Sequence, residues 1–327
     1  MSRNNVEVVF PDSNRGSFEG FVRSKRASGY IYNGGLLGTV RRLAEFLDAR
    51  GDGANLSEEA VLEWIKRIEG ESRGTQRIRG CVARQYGLYL QSLGVQCYVL
   101  PALMVPMAPP NFEPFIFSAE QIEAVAEVLD NETPSLSSPN TSTEYPLLFR
   151  MLYGCGLRIS EATSLRGRDV DVEAGTLDVL DGKGGISRRV PMSASLTRCC
   201  KRYIEAMGPS VTGDNYFFPG QSGEGHLNRG TVLTHLKKAF ASAGVVDTNG
   251  KPPRVHDLRH TFVCHTIERA SDAGVDANVI LPVLAVMSGH TNLKMTERYI
   301  HLTDAARSKV VEQMAASSSA TLREVEG

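Results

Sequence analysis

The chain has 327 residues, 42% of them hydrophobic and 22% charged, and a formal net charge of −1. That composition excludes disordered, collagen-like and disulfide-scaffold chains, and the length suits two domains of about 100–200 residues, each burying its own core. Taken as an average, the charge also argues against a nucleic-acid partner, whose phosphates call for a basic surface.

The average conceals a pattern. Residues 1–110 carry 14 basic and 11 acidic side chains, residues 111–145 carry seven acids and no Lys or Arg, and residues 146–310 carry 21 basic and 16 acidic. Two basic blocks therefore flank one acidic stretch. Any DNA would meet the basic blocks, with Glu120, Glu123 and Glu127 turned away. Residues 1–11 have no basic, apolar and small-residue signal pattern, and the apolar runs at 99–110 and 279–287 fall short of the ~18 residues of a membrane span. The six cysteines show neither C-x-x-C nor zinc spacing. Together these features predict a cytoplasmic protein with reduced thiols, no membrane association and no bound metal.

In chain order, residues 36–48 read as a helix bearing Arg41 and Arg42. Ser57 is placed to cap a second helix, with Glu58 and Glu59 in its first turn and Val61, Trp64, Ile65 and Ile68 on one face. Ile78, Val82, Tyr86 and Leu90 recur every four residues on a third, which also carries Arg73, Arg77, Arg79 and Arg84. These helices predict a small bundle over residues 1–98. Trp64 is assigned to its core, and Arg41, Arg42, Arg73, Arg77, Arg79 and Arg84 are its candidate DNA contacts.

Residues 99–116, with prolines at 101, 106, 109, 110 and 114, read as an extended linker. The second domain, 117–314, opens on a Ser118–Gln121 capping-box spacing followed by Ile122, Val125, Ala126 and Leu129. A loop is predicted over 131–143 and a helix over 145–155. From residue 169 the period changes: 170–172, 176–180 and 186–191 alternate around turns at 173–175 and 182–185, which predicts a three-stranded antiparallel sheet. Helices resume at 194–207, 229–243 and 256–269. An amphipathic helix follows at 303–314, and residues 315–327 read as a flexible tail. The predicted fold is mainly α: a two-domain clamp of a small helical bundle and a mixed α+β domain with one small sheet.

Four segments carry chemistry: Gly156-Leu157-Arg158-Ile159-Ser160-Glu161, Gly182-Lys183-Gly184-Gly185, His256-Asp257-Leu258-Arg259-His260-Thr261-Phe262, and Ser288-Gly289-His290 with Tyr299 nine residues after the histidine. Singly they have ordinary readings. Gly-Lys-Gly is a common hairpin turn, His256 and His260 lack a third metal ligand at a natural spacing, and Tyr299 alone is core or surface.

In this order, over about residues 117–310, the four segments resemble the tyrosine recombinase (phage integrase) family. The N-terminal block is similar to that family's core-binding domain in size, position and helicity only. The resemblance implies a site-specific recombinase or integrase of the kind mobile elements use. Its site would be Arg158, Lys183, His256, Arg259, His290 and Tyr299, and it would need neither cofactor nor metal. It would work on double-stranded DNA as a homotetramer with two protomers active at a time, with or without accessory recombination proteins. The 303–314 helix would dock on a neighbouring protomer or on its own domain.

The chemistry of these residue types agrees. A phosphodiester gains charge on its non-bridging oxygens as it becomes pentacoordinate, and two guanidiniums clamp such oxygens bidentately where a lysine cannot. Arg158 and Arg259 are the two guanidiniums, and His290 adds a donor. Tyr299 is the nucleophile, and its phenol, with a pKa near ~10, needs a base, for which His256 is the candidate. Lys183 protonates the leaving 5′-oxygen, as the resemblance implies. Glu161 is expected to orient a neighbouring basic group, and His260 to pack behind the site. One departure is visible: the interval from Arg259 to His290 is longer than the family pattern, with an insertion around 271–274. Two other functions fit parts of this set, a type IB topoisomerase and a catalytically idle DNA-binding accessory protein. A nucleophilic tyrosine has no use in the latter.

Overall fold

The computed structural model describes residues 8–30, 32, 34–107, 113–134, 139–180, 187–220 and 225–289. The chain divides into two compact units, Met1–Phe112 and Glu113–Gly327.

The first unit is helical: α1 (Arg15–Ala27), α2 (Gly34–Ala49), α3 (Glu58–Trp64) and α4 (Arg73–Ser92). Its core is built on Phe18, Phe21, Leu43, Leu47, Trp64, Val82 and Tyr86. Ser57 caps α3 as predicted, its Oγ accepting from the Ala60 N–H at 3.1 Å. The expected apolar stripe is shorter than the spacing suggests, because α3 stops at Trp64 and Ile68 lies exposed beyond it. On α4, Val82, Tyr86 and Leu90 are buried but Ile78 is 46% exposed. A strict four-residue repeat slides by about 40° per step on a 3.6-residue helix, so its first member leaves the core face. The adjacent Arg79 takes the inward place instead.

The proline-rich segment is not a free linker from residue 99 onward. Leu100 is fully buried in the first unit, and the Tyr98 N–H donates to the Leu56 carbonyl at 2.7 Å. The segment lies along α4 at two glycines seven residues apart. A Cβ on Gly80 would come within 2.7 Å of Pro106 Cδ, and one on Gly87 within 3.1 Å of the Tyr98 carbonyl oxygen. Small residues at one face of α4 thus make room for the close approach of this segment.

The second unit contains α5 (Ala119–Asp130), α6 (Thr141–Gly154), α7 (Ile159–Ser164), β1 (Val170–Asp171), β2 (Thr176–Val179), β3 (Arg188–Pro191), α8 (Ala194–Met207), α9 (Arg229–Ser242), α10 (Asp257–Asp272) and α11 (Ala277–Ser288). The capping box is present: Ser118 Oγ accepts from the Gln121 N–H, and the Gln121 side chain returns to the Ser118 N–H. The sheet is antiparallel in the order β1-β2-β3, with Val170 opposite Leu177 and Leu177 opposite Val190. Asp171 Oδ1 accepts from the Glu173 and Ala174 N–H groups and closes the first turn. α6 starts at Thr141, four residues earlier than expected. It is buried almost all round, with Leu147, Leu148, Phe149, Met151 and Leu152 in a core that includes Phe117, Phe217 and Phe240. All six cysteines are unbridged, and burial pushes the Cys155, Cys200 and Cys264 thiols up to about 12. Among the described residues no helix is long and apolar enough to cross a membrane.

α6 also buries Glu144, whose Oε1 has no hydrogen-bond partner. Burial pushes this carboxyl up to about 7. A raised carboxylate favours the fold while it holds its proton, so this contribution is complete below about pH 4.5 and is lost as pH rises through 7. Glu144→Gln should therefore gain stability over wild type between pH 5 and pH 8, by roughly 3 kcal/mol at most, since one unit is worth about 1.4 kcal/mol. Melting curves for the two proteins across this range test it, and parallel pH dependences would contradict it.

Candidate active site

The site is assembled around one buried carboxylate. Arg158 lies just before α7 in an extended conformation, and its backbone N–H donates to Glu161 Oε2 at 2.9 Å. The acid three residues into the helix thus satisfies the backbone that precedes it. The Arg158 guanidinium closes on the same group, Nη1 donating to Glu161 Oε1 at 2.6 Å. From β3, Arg188 approaches the carboxylate with both terminal nitrogens, at 3.2 Å to Oε1 and 2.8 Å to Oε2. Arg259, in the first turn of α10, holds Nη1 4.0 Å from Glu161 Oε2. Its Nη1 donates to the Gly156 carbonyl at 2.7 Å and its Nη2 to the Ser288 carbonyl.

Three guanidiniums thus surround a single carboxylate. Their side chains are 18% (Arg158), 2% (Arg188) and 2% (Arg259) exposed, against 4% for Glu161. Burial alone would push the Glu161 carboxyl up. The bonds from Arg188 and from the Arg158 backbone and side chain outweigh it and hold the group down at about 2. Among the described residues, three guanidiniums share this one carboxylate. Guanidiniums grouped in this way offer forked donors that match an oxyanion, so the arrangement is suited to receive one. The most accessible of the three guanidiniums is Arg158.

His256 stands at the N-terminus of α10, on the same turn as Arg259. Its ring is solvent-accessible, yet its pKa is lowered by partial desolvation and then by the nearby Arg259, Arg254 and Arg158 charges. The imidazole is therefore neutral near pH 7 and able to accept a proton. His260 packs edge-on against it, ring centroids 5.1 Å apart. Asp257, buried beside them, accepts from the Arg254 backbone N–H at 3.0 Å and from its Nη2 at 2.7 Å.

Arg158, His256 and Arg259 are thus brought together. Lys183, His290 and Tyr299 lie outside the described residues, as does the expected 303–314 helix. The chain reaches the position before His290 within the cluster, because the Gly289 carbonyl accepts from Arg158 Nη2 at 3.3 Å. Among the described residues no group of three or more His, Cys, Asp or Glu is arranged to hold a metal ion.

The arginines of the first unit have different fates. Arg41, Arg42 and Arg73 are exposed, Arg41 pairing with Glu45 and Arg42 donating to Thr39 Oγ1. Arg77 and Arg84 donate to the Pro106 and Leu100 carbonyls and pin the proline-rich segment to α4. Arg79 does not fit the expected DNA contact. It is 5% exposed, forks onto both oxygens of Glu71 at 2.8 Å and lies over the Trp64 ring. Its guanidinium is committed to the core.

Sequence reading passed over Arg188. The signal was there: it sits two residues before Val190 on a strand whose alternate residues are buried, which puts a charge on the inward face. A charge in that place requires a buried partner.

The chain matches the phage integrase family over residues 116–306. It belongs to that family. The chain is 29% identical over 268 residues to an integrase/recombinase, y4rB, of Sinorhizobium fredii, covering 79% of this chain and 83% of that one. It is 27% identical over 271 residues to tyrosine recombinase XerC of Xanthomonas axonopodis pv. citri, covering 81% and 78%. Among solved structures, XerH recombinase bound to its difH substrate has a similar fold, with a TM-score of 0.62 at 18% identity over 93% of this chain and 99% of that one. This member of the family is a tyrosine-type site-specific recombinase.

Gly156 illustrates how tightly the cluster is supported. It has φ +59°, and a Cβ there would fall 2.9 Å from Phe262 Cε1, with other ring atoms closer or nearly as close. Gly156→Ala adds left-handed strain of about 1–2 kcal/mol and overpacking of about 1–3 kcal/mol. It should destabilise the second unit by their sum, about 2–5 kcal/mol. Gly244→Ala, at φ +71° with open space around it, should cost only the strain. Equal losses in denaturant titrations of the two variants would contradict this account.

Proposed function

We propose that this recombinase cuts and rejoins double-stranded DNA at a specific site through a covalent 3′-phosphotyrosine on Tyr299, and that two such rounds pass through a Holliday junction. The observation that carries the reading is the cluster in which the Arg158 and Arg259 guanidiniums are held close to the same carboxylate, Glu161. The scissile phosphate is the anion it receives. As the Tyr299 oxygen attacks phosphorus, charge builds on the non-bridging oxygens, where preorganised guanidiniums stabilise the pentacoordinate state more than the ground state. His290 donates a further hydrogen bond.

His256, neutral and accessible, takes the phenol proton. Lys183 returns a proton to the leaving 5′-oxygen, a contribution worth about 10²–10⁴ in rate. The phosphotyrosine conserves the energy of the broken ester, so a 5′-hydroxyl from the partner strand attacks it, expels Tyr299 and restores a phosphodiester. Neither ATP nor a metal ion is required by this sequence of steps. Exposed Arg41, Arg42 and Arg73 contribute to backbone contacts on the first unit. Four copies of the chain act on two duplexes in the cytoplasm, two active at a time. The XerH relative, solved with its difH substrate, supports DNA as the partner.

The test is a denaturation-resistant adduct. Wild-type protein is incubated with nicked suicide duplexes tiled across the DNA that flanks its gene. The protein should become covalently attached to one of them, while Tyr299→Phe should form no adduct. Equal adduct from Tyr299→Phe, or none from wild type on any duplex, would overturn the reading. Relaxation of supercoiled DNA without any such site would assign the chemistry to a topoisomerase instead.

A further inference from the structure

We infer that Arg188 is a positioning residue of the recombination site, setting the Arg158 guanidinium through their shared carboxylate, Glu161, and the turn before His290 through the Met287 carbonyl. The inference rests on the proposed strand-transfer reading. Arg188 makes contacts in two directions. Its terminal nitrogens fork onto Glu161, and its Nε donates to the Met287 carbonyl at 2.6 Å. One buried side chain thereby joins β3 to the start of α7 and to the end of α11.

Each of those places leads directly to a site residue. β3 begins five residues after Lys183 in the sequence. Arg158 immediately precedes α7, and its guanidinium is bound to the same carboxylate oxygen that Arg188 Nη1 reaches. The end of α11 runs through Ser288, whose carbonyl accepts from Arg259, to Gly289, whose carbonyl accepts from Arg158. At Gly289 the fit is close. The backbone has φ +58°, and a Cβ there would lie 3.1 Å from Arg188 Nη1 and 3.3 Å from its Cζ. The guanidinium plane is seated on the bare face of the residue that precedes His290.

Geometry explains why an arginine occupies the position. Two N–H bonds to the two oxygens fix the carboxylate plane, and the separate Nε bond to the Met287 carbonyl fixes the arginine itself. A lysine supplies one point charge and fixes neither plane. Without the Arg188 fork, Glu161 would be held only by the Arg158 backbone N–H and guanidinium, and the Arg158 side chain and the carboxylate could shift together. A displacement of about 1 Å at such a group can cost about 10²-fold in rate.

The test compares wild type with Arg188→Lys, which keeps the buried charge, on the nicked duplex that gives the wild-type adduct. Duplex binding is measured alongside cleavage, because binding reports the fold and the wider interface. A second substrate carries a methylphosphonate at the scissile position. It lacks one charged non-bridging oxygen and so depends less on where Arg158 sits. Arg188→Lys should bind the ordinary duplex as wild type does, form adduct about 10²-fold more slowly, and show a deficit at least several-fold smaller on the methylphosphonate. Arg188→Met, with no charge, should show the same pattern with a larger deficit.

Three results would overturn the inference: a wild-type cleavage rate in Arg188→Lys, equal deficits on both substrates, or loss of duplex binding together with cleavage. The last two would assign Arg188 to the fold alone. Absence of adduct from wild type itself would strike the strand-transfer reading rather than this one.

Discussion

The second unit depends on how one carboxylate is held. Glu161 caps the backbone of Arg158, pairs with its side chain and accepts the fork of Arg188, while Arg259 stands 4.0 Å away. Without this acid, three buried guanidiniums would repel one another in a region that water barely reaches. With it, they form a rigid group of guanidiniums held on one carboxylate. The same contacts therefore stabilise the fold and prepare the site, and they hold the carboxyl well below its ordinary range. Rigidity comes from the scaffold as well. Gly156 and Gly289 adopt conformations that bring backbone carbonyls to Arg259 and Arg158 and leave no room for a side chain.

A buried arginine is used quite differently in the first unit. Arg79 forks onto Glu71, donates to the carbonyls of Trp64 and Lys66 and covers the indole ring. There the charges balance one for one, every strong donor is satisfied within the core, and nothing is left to attract an anion. The contrast separates a structural ion pair from a functional cluster by charge count rather than by burial. It also shows why net charge over the whole chain is a poor guide. What matters for an anionic substrate is the local grouping of guanidiniums at Glu161, not the sum over 327 residues.

Much of this was legible in the sequence. The Ser57 and Ser118 caps, the antiparallel sheet and the helices over 194–207, 229–243 and 256–269 follow from capping chemistry and hydrophobic period, and the structure places them within a few residues of expectation. The grouping of Arg158, His256 and Arg259 follows from motif order, and Glu161 is expected to orient a neighbouring basic group. Three things were hidden. Arg79 looked like one of four surface arginines because a four-residue stripe hides the drift of a 3.6-residue helix. The docking of residues 98–106 on α4 depends on Gly80 and Gly87, whose meaning appears only when another segment of chain is beside them. Arg188 was missed because its partners are far off in sequence, 27 residues before it at Glu161 and 99 after it at Met287.

The central claim is that the Glu161-centred cluster, and not burial of acids in general, sets the rate of strand cleavage. The second unit supplies its own control, since Glu144 is an equally buried carboxyl with an unpartnered oxygen. The most direct measurement is the rate of covalent adduct formation at saturating nicked duplex for Glu161→Gln and Glu144→Gln side by side. Glu161→Gln should be slowed by about 10²-fold, the scale expected when a clamping group is displaced by about 1 Å, and Glu144→Gln should match wild type. A wild-type rate in Glu161→Gln, or equal slowing in both, would contradict the account.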